Sequence, residues 1–179
     1  LIRWIYVRHV TDFQEMSDFS KLFRERLREH CVLPELQTNI KQQSSEQDTA
    51  KYLYRLPDGS FVESVRMRYL EHLGPGRLAI CISSQVGCAM ACSFCASGLH
   101  GLKRNLATWE IVDQVLQIQK HVAPQGERVA NVVFMGIGEP LHNFDNVLRA
   151  IRLINWGDGL GIGMRHLCVS TSGLVPQIR

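Results

Sequence analysis

Cys88, Cys92 and Cys95 fall within eight residues, in the order C-x3-C-x2-C. Three thiolates on one tight loop can hold three corners of a cubane iron–sulfur cluster. A [4Fe–4S] cluster has four irons, so one iron would lack a cysteine and stay open to a small molecule binding through nitrogen and oxygen. Two other readings fit the same residues. With His100 as a fourth ligand they make a Cys3His zinc site, and otherwise they are three unligated thiols. Cys31, Cys81 and Cys168 complete a set of six. An even count suits the disulfide framework of a short secreted chain, but nothing here indicates secretion. Residues 1–10 carry Arg3, Arg8 and His9 and lack a small-residue cleavage site. No apolar run approaches the ~18–20 residues that span a bilayer. The expected location is cytoplasmic, away from membranes.

Other candidate chemistry is sparser. Glu139 follows Gly136-Ile137-Gly138 and precedes Pro140. A carboxylate on a short glycine loop suits an ammonium group, or is simply exposed. Ser170 ends an apolar run, where a hydroxyl can bind a ligand or cap the following turn. Cys81 lies inside an apolar run and reads as packing. Glu63, amid Phe61, Val62 and Val65, reads as an exposed strand residue.

The elements that would position these residues follow from periodicity. Residues 1–10 read as the end of a helix. Apolar residues from Phe13 to Leu27 recur at helical spacing, with Ser17 as a cap and an end before Pro34. Residues 37–48 are polar and Gln/Ser-rich, as in a linker. Pro57-Asp58-Gly59-Ser60 separates two β-prone runs, which predicts a hairpin with strands near 50–56 and 60–67. Gly74-Pro75-Gly76 reads as a loop. From Arg77 the order becomes strand (78–82), helix (108–122, capped by Thr108), strand (129–135), helix (144–155) and strand (166–170). That alternation implies parallel strands joined by right-handed crossovers. The expected class is α/β. The expected division is a helical segment with linker over 1–48, a hairpin with connecting loop over 49–76, and parallel strands and helices over 77–179. Three strand ends would then carry the cysteine loop, Glu139 and Ser170 to one place, as at the carboxyl ends of barrel strands.

The cysteine motif, with Phe94 before its last cysteine, is similar to the signature of the radical S-adenosylmethionine (radical SAM) enzymes. Within them, four features resemble the RlmN/Cfr family of RNA adenine methyltransferases. They are the run Cys81-Ile82-Ser83-Ser84-Gln85-Val86-Gly87-Cys88, the run Gly136–Leu141, the run Ser170-Thr171-Ser172-Gly173, and the hairpin Asp58–Glu63 taken with the helix Asp12–His30. The resemblance extends over essentially the whole chain. It implies the first half of a partial (β/α)6 barrel behind a helical accessory segment and a hairpin. It implies a [4Fe–4S] cluster on Cys88, Cys92 and Cys95, and SAM held by Gly138, Glu139 and Ser170. Cys81 would match a cysteine that resolves a protein–RNA adduct through a disulfide, and Glu63 the proton acceptor. The implied reaction methylates C2 of an adenine in 23S rRNA and in some tRNA anticodon loops, through a methylcysteine. Cfr-like methylation of C8 is the alternative, and a non-catalytic metal-binding RNA module is another. A reducing electron donor such as flavodoxin is implied as partner, and a monomer as the full-length state.

Net charge is +3, from 20 Lys/Arg against 17 Asp/Glu. Residues 51–107 hold seven basic and three acidic residues. That excess, with Arg66, Arg68, Lys103 and Arg104, is compatible with nucleic acid. No cysteine after Cys168 resembles the methyl carrier, so the chain reads as a piece of a longer enzyme, inactive alone. Its apolar helix residues, Ile111, Val115 and Ile118 and then Val147, Ile151 and Ile154, are expected to be uncovered.

Overall fold

Strand β4 (Arg77–Cys81) joins two kinds of sheet. On one side it pairs antiparallel with β3 (Phe61–Met67), on the other parallel with β7 (Arg128–Phe134). Beyond β3 lie β2 (Thr49–Arg55) and β1 (Gln37–Gln43), and beyond β7 lies β8 (Leu167–Val169). The six-stranded order is β1-β2-β3-β4-β7-β8. Helices α2 (Thr108–Val122) and α3 (Phe144–Asn155) supply the crossovers β4 to β7 and β7 to β8. A second, two-stranded sheet pairs β5 (Gln85–Gly87) with β6 (Leu102–Asn105). The N-terminal segment carries α1 (Lys21–His30), and α4 (Val175–Ile178) lies near the C-terminus. This computed structural model describes residues 1–46, 48–68 and 77–178. The expected Gly74-Pro75-Gly76 loop lies outside the described residues.

The fold is α/β as expected, and the parallel elements fall where periodicity put them. The hairpin strands do too. Three details differ. Residues 37–48, read as a linker, contain β1, whose seven side chains are all exposed. Such a strand has no apolar alternation to betray it; only its backbone pairing with β2 makes it a strand. Lys41 and a register shift between Thr38 and Ile40 blunt this edge against further pairing. Next, α1 starts after Ser20, whose hydroxyl accepts the Phe23 N–H, while Asp12 caps a separate turn at Phe13–Glu15. Finally, Ala107 precedes α2 at the capping position. It has no side-chain acceptor, so Glu110 supplies the cap by accepting the Ala107 N–H at 2.8 Å.

The apolar helix residues are covered, contrary to expectation. Ile111, Val115, Ile118, Val147 and Ile154 pack with Ile80, Val132 and Phe134 in one buried cluster, with Ile151 partly buried against it. The helices thus cover one sheet face by themselves. Tyr52, Tyr54, Val62 and Ser64 project to that face and are buried. Side chains alternate along a strand, so Glu63, Val65, Cys81 and Val133 project to the opposite face.

The N-terminal segment docks on α2. Its own small core is Trp4, Phe13 and Met16, and the Leu36 N–H donates to buried Asp113 at 2.6 Å. Burial pushes the Asp113 carboxyl up to about 6, against hydrogen bonds from Leu36 and Gln117 that favour the anion. An unfolded aspartate titrates near ~3.9. Between those values the folded chain holds a proton that the unfolded chain releases, so stability falls as pH rises through this window. Above it the cost is on the order of 2–3 kcal/mol. Asp113→Asn keeps the acceptor for Leu36 and removes the charge. It is expected to raise the unfolding midpoint in urea at pH 7.5 and to leave it unchanged near pH 4. Equal effects at both pH values would place the cause elsewhere.

Among the described residues no helix is long and apolar enough to cross a membrane.

Candidate active site at the strand ends

The three cysteines lie on the excursion between β5 and β6. These two short strands close the base of the loop, with the Cys88 N–H donating to the Gly101 carbonyl at 3.1 Å. Within it, Ala91 adopts a left-handed φ of 48° and the Cys95 N–H donates to the Cys92 carbonyl at 3.0 Å. All three thiols are free and partly buried. Cys95 stands before a short turn, Ala96–Gly98. The Ser97 hydroxyl and N–H pull its thiol below the ordinary value; burial opposes and the Gly98 N–H adds to the pull. Lowered thiols favour the thiolate that metals bind. Among the described residues, no three His, Cys, Asp or Glu side chains are already drawn together around a metal position. The donor chemistry nonetheless fits an iron–sulfur cluster: three free thiols on one loop, one with hydrogen bonds favouring its anion.

The loop is anchored to the neighbouring strand. The Lys103 ammonium donates to Ser60 Oγ at 2.6 Å, and Arg104 bonds Asp58 at 2.9 Å and Glu110 at 2.7 and 2.8 Å. The hairpin turn, β6 and the start of α2 are thereby tied together. Arg104 holds the Asp58 carboxyl well below the usual carboxylate range, helped by the Ser60 N–H.

The segment after β7 threads against the segment after β4. The Gly136 N–H donates to the Ile82 carbonyl, and the N–H groups of Ser84 and Gln85 donate to the Ile137 carbonyl. Gly138 has φ 109°, and a Cβ there would stand 2.6 Å from the Gln85 Cβ. Gln85, fully buried, accepts the Glu139 N–H at 2.8 Å and donates to Asn105 at 2.7 Å. Gly138→Ala meets both a forbidden φ and a clash. It is expected to cost about 2–4 kcal/mol, read as a lower urea midpoint of full-length protein. Unchanged stability would show that this approach can relax.

Glu139 is buried, and its carboxylate accepts the Leu141 N–H at 3.0 Å and the Ser172 N–H and hydroxyl at 2.8 Å each. Burial raises its pKa, but the bonds from Ser172, Thr171 and Leu141 outweigh that and leave it lowered. It is an ionised carboxylate joining the ends of β7 and β8. Ser170 is exposed at the end of β8. The serine that reaches Glu139 is Ser172, two residues on. Gln85 and Ser172 lie inside the motifs singled out above, but only their burial and contacts mark them as part of the site. Asn143, also buried, was not singled out; it donates to the carbonyls of Ser84 and Leu106 at 2.8 Å.

Strand register brings together two residues that the sequence left 18 positions apart. Cys81 pairs with Val65, so Glu63 is its diagonal neighbour on the same face, about 7–8 Å away. Lys51 holds the Glu63 carboxylate at 3.1 Å. The Ser83 hydroxyl donates to the Glu63 carbonyl at 2.6 Å, so Glu63 sits at the same sheet end as the cysteine loop. Burial pushes the Cys81 thiol up, partly offset by a backbone hydrogen bond from Met135.

A parallel layer with a three-cysteine loop after its first strand and a fixed carboxylate after its second is the arrangement of the radical SAM enzymes. The chain belongs to the radical SAM superfamily, whose family model matches residues 82–179. Residues 1–33 match the model described as "Ribosomal RNA large subunit methyltransferase N-terminal domain". The chain is 46% identical over 179 residues to a Symbiobacterium thermophilum protein named "Probable dual-specificity RNA methyltransferase RlmN", with 100% of this chain and 47% of that protein covered. It is 46% identical over 178 residues to the Bacillus subtilis protein of the same name, with 99% and 47% covered. A crystal structure of a radical SAM methyltransferase from Sphaerobacter thermophilus superposes with a TM-score of 0.89 at 38% identity, covering 99% of this chain and 50% of that one. The chain spans about half the length of the curated relatives it matches. The resemblance to RlmN proteins and the α/β fold are borne out by these matches.

Proposed function

We propose that the full-length protein is a radical SAM RNA methyltransferase that methylates C2 of an adenine in 23S rRNA, and in the anticodon loop of some tRNAs. The observation that carries this is the convergence, at one sheet end, of the cysteine loop, the ionised Glu139 and the Glu63–Cys81 pair, in a chain similar to RlmN proteins throughout. Cys88, Cys92 and Cys95 would hold a [4Fe–4S] cluster and leave one iron open. Glu139 would take the ammonium group of SAM, with Gly138 and Ser170 completing the contacts. Bound together, the cluster and SAM supply the one-electron chemistry needed at an electron-poor adenine carbon, with a reducing protein as electron source.

The later steps fall to the protein's own residues. A methylcysteine elsewhere on the full-length protein would give up one methyl hydrogen atom in that one-electron chemistry and bond through its carbon to adenine, the odd electron left on the joined species returning to the electron source. Glu63 accepts the proton lost from the ring, and Lys51 holds its carboxylate in place. The Cys81 thiolate attacks the carrier sulfur; an S–S bond forms, the S–C bond breaks with its electron pair going to carbon, and that carbon takes a proton from the Glu63 carboxyl to become the methyl group. The disulfide is later reduced by an external thiol. Residues 1–48, 49–76 and 77–179 serve as accessory segment, hairpin and barrel half.

The test is transfer from methyl-labelled SAM to unmodified 23S rRNA and tRNA under reducing, anaerobic conditions, with nucleosides separated by mass spectrometry. 2-Methyladenosine is the expected product. 8-Methyladenosine would assign Cfr-like chemistry, and bound iron with no transfer would leave a non-catalytic RNA module.

A further inference from the structure

The sheet end opposite the cysteine loop carries a cavity of about 510 Å³, bounded by the starts of β4 and β7, the C-terminal end of α2 and the turn Gly159–Gly163. Arg77, Arg128 and Arg165 line it with His166, and among the described residues no Asp or Glu does. Arg77 and Arg128 are paired directly across the β4–β7 ladder. Neighbouring strands lie about 4.8 Å apart, and like charges on paired strand positions disfavour one another, which an anion between them would relieve. Glu127, adjacent in sequence to Arg128, is engaged by Arg68 at 2.8 and 3.1 Å.

The cations nominated from the charge count behave differently. Arg66 is 1% exposed, Arg68 pairs with Glu127, Arg104 with Asp58 and Glu110, and Lys103 with Ser60 and Asp58. Their charge is neutralised or buried within the fold. The cavity's three arginines have no carboxylate partner among the described residues.

We propose that this cavity binds a phosphate group of the RNA backbone, at the end of the molecule away from the reacting base. Guanidinium groups match phosphate oxygens in bidentate geometry. Along one wall Gly161 and Gly163 alternate with Leu160 and Ile162, and Gly161 adopts φ 62°, so the backbone at the glycines can approach a ligand closely. A contact of this kind fixes the position of the RNA without reading its sequence. The proposal rests on the RNA substrate argued above.

The test compares full-length, cluster-loaded protein with the variant R77Q/R128Q/R165Q, and with Arg128→Gln and Arg165→Gln singly. Binding of a fluorescent 23S rRNA fragment is titrated over a range of KCl. The slope of log K against log[KCl] should become shallower by about one for the triple variant, the contribution of one neutralised phosphate, and by part of that for each single. The melting temperature and the visible absorption of the cluster should stay as in the wild type. An unchanged slope in folded triple variant overturns the proposal and leaves the RNA reading intact; if that variant fails to fold, the single variants decide by the same criterion. No RNA binding by the wild type overturns the RNA reading and this proposal with it. Pyrophosphate bound as tightly as RNA, and lost in the variants, assigns the cavity to a free phosphate ligand and overturns its RNA role.

Discussion

Full-length protein carrying Cys88→Ala, Cys92→Ala or Cys95→Ala is expected to purify anaerobically without bound iron and to cleave no SAM. Each cysteine would be one of only three protein ligands, so removing any one leaves a cluster held at two corners. Cys31→Ala and Cys168→Ala should leave the iron content unchanged. Cys31 ends α1 and Cys168 lies in β8, both exposed and outside the cysteine loop. Iron and sulfide analysis with visible absorption measures all five variants. Close to four irons and four sulfides per wild-type chain is expected. Stoichiometric zinc in place of iron would instead identify a structural Cys3His site with His100.

The second large effect concerns Cys81. Cys81→Ala in the full-length protein is expected to keep the cluster and SAM cleavage, lose turnover, and accumulate a covalent protein–RNA species. That species appears as a band of reduced mobility on a denaturing gel and collapses on RNase treatment. Burial keeps the Cys81 thiol protonated at neutral pH, and only the thiolate attacks sulfur. In the wild type, resolution should therefore speed up as pH rises from 7 to 9. Glu63→Gln should lengthen the lifetime of the same species, because removal of the ring proton needs a base. Clean turnover by Cys81→Ala would reduce this residue to packing.

The parts of the fold legible in the sequence were those whose burial repeats. In α2, Ile111, Val115 and Ile118 recur on one face, and in α3 Val147, Ile151 and Ile154 do, because each helix is half covered. Strands β4 and β7 read as continuous apolar runs because parallel strands are buried on the helix side and crowded on the other. β1 was illegible because its side chains bury nothing. β5 and β6 were illegible because three residues and Leu102-Lys103-Arg104-Asn105 carry no period, although they close the loop that matters most. Cysteine spacing marked the three-cysteine loop, since a ligand motif is local in sequence. The Glu63–Cys81 neighbourhood is a property of strand register, which no local pattern contains. The choice between Ser170 and Ser172 depended on where the chain turns after β8. Charge was the least faithful guide: Arg66, Arg68 and Arg104 counted as surface cations but serve as internal ties.

The antiparallel seam between β3 and β4 acts as a gauge for the site. Three backbone pairs, Val65 with Cys81, Arg66 with Ile80 and Met67 with Ala79, set the spacing of Glu63 and Cys81. Because strand side chains alternate, one residue inserted between Ser64 and Val65 would turn the Glu63 carboxylate into the helix-packed layer and bring the buried Ser64 outward. Extra residues at Pro57–Ser60 would leave that spacing untouched. The middle of β3 can therefore change its side chains but not its count, whereas added length at the hairpin tip leaves this pair in place and moves only the Asp58 and Ser60 ties to Lys103 and Arg104.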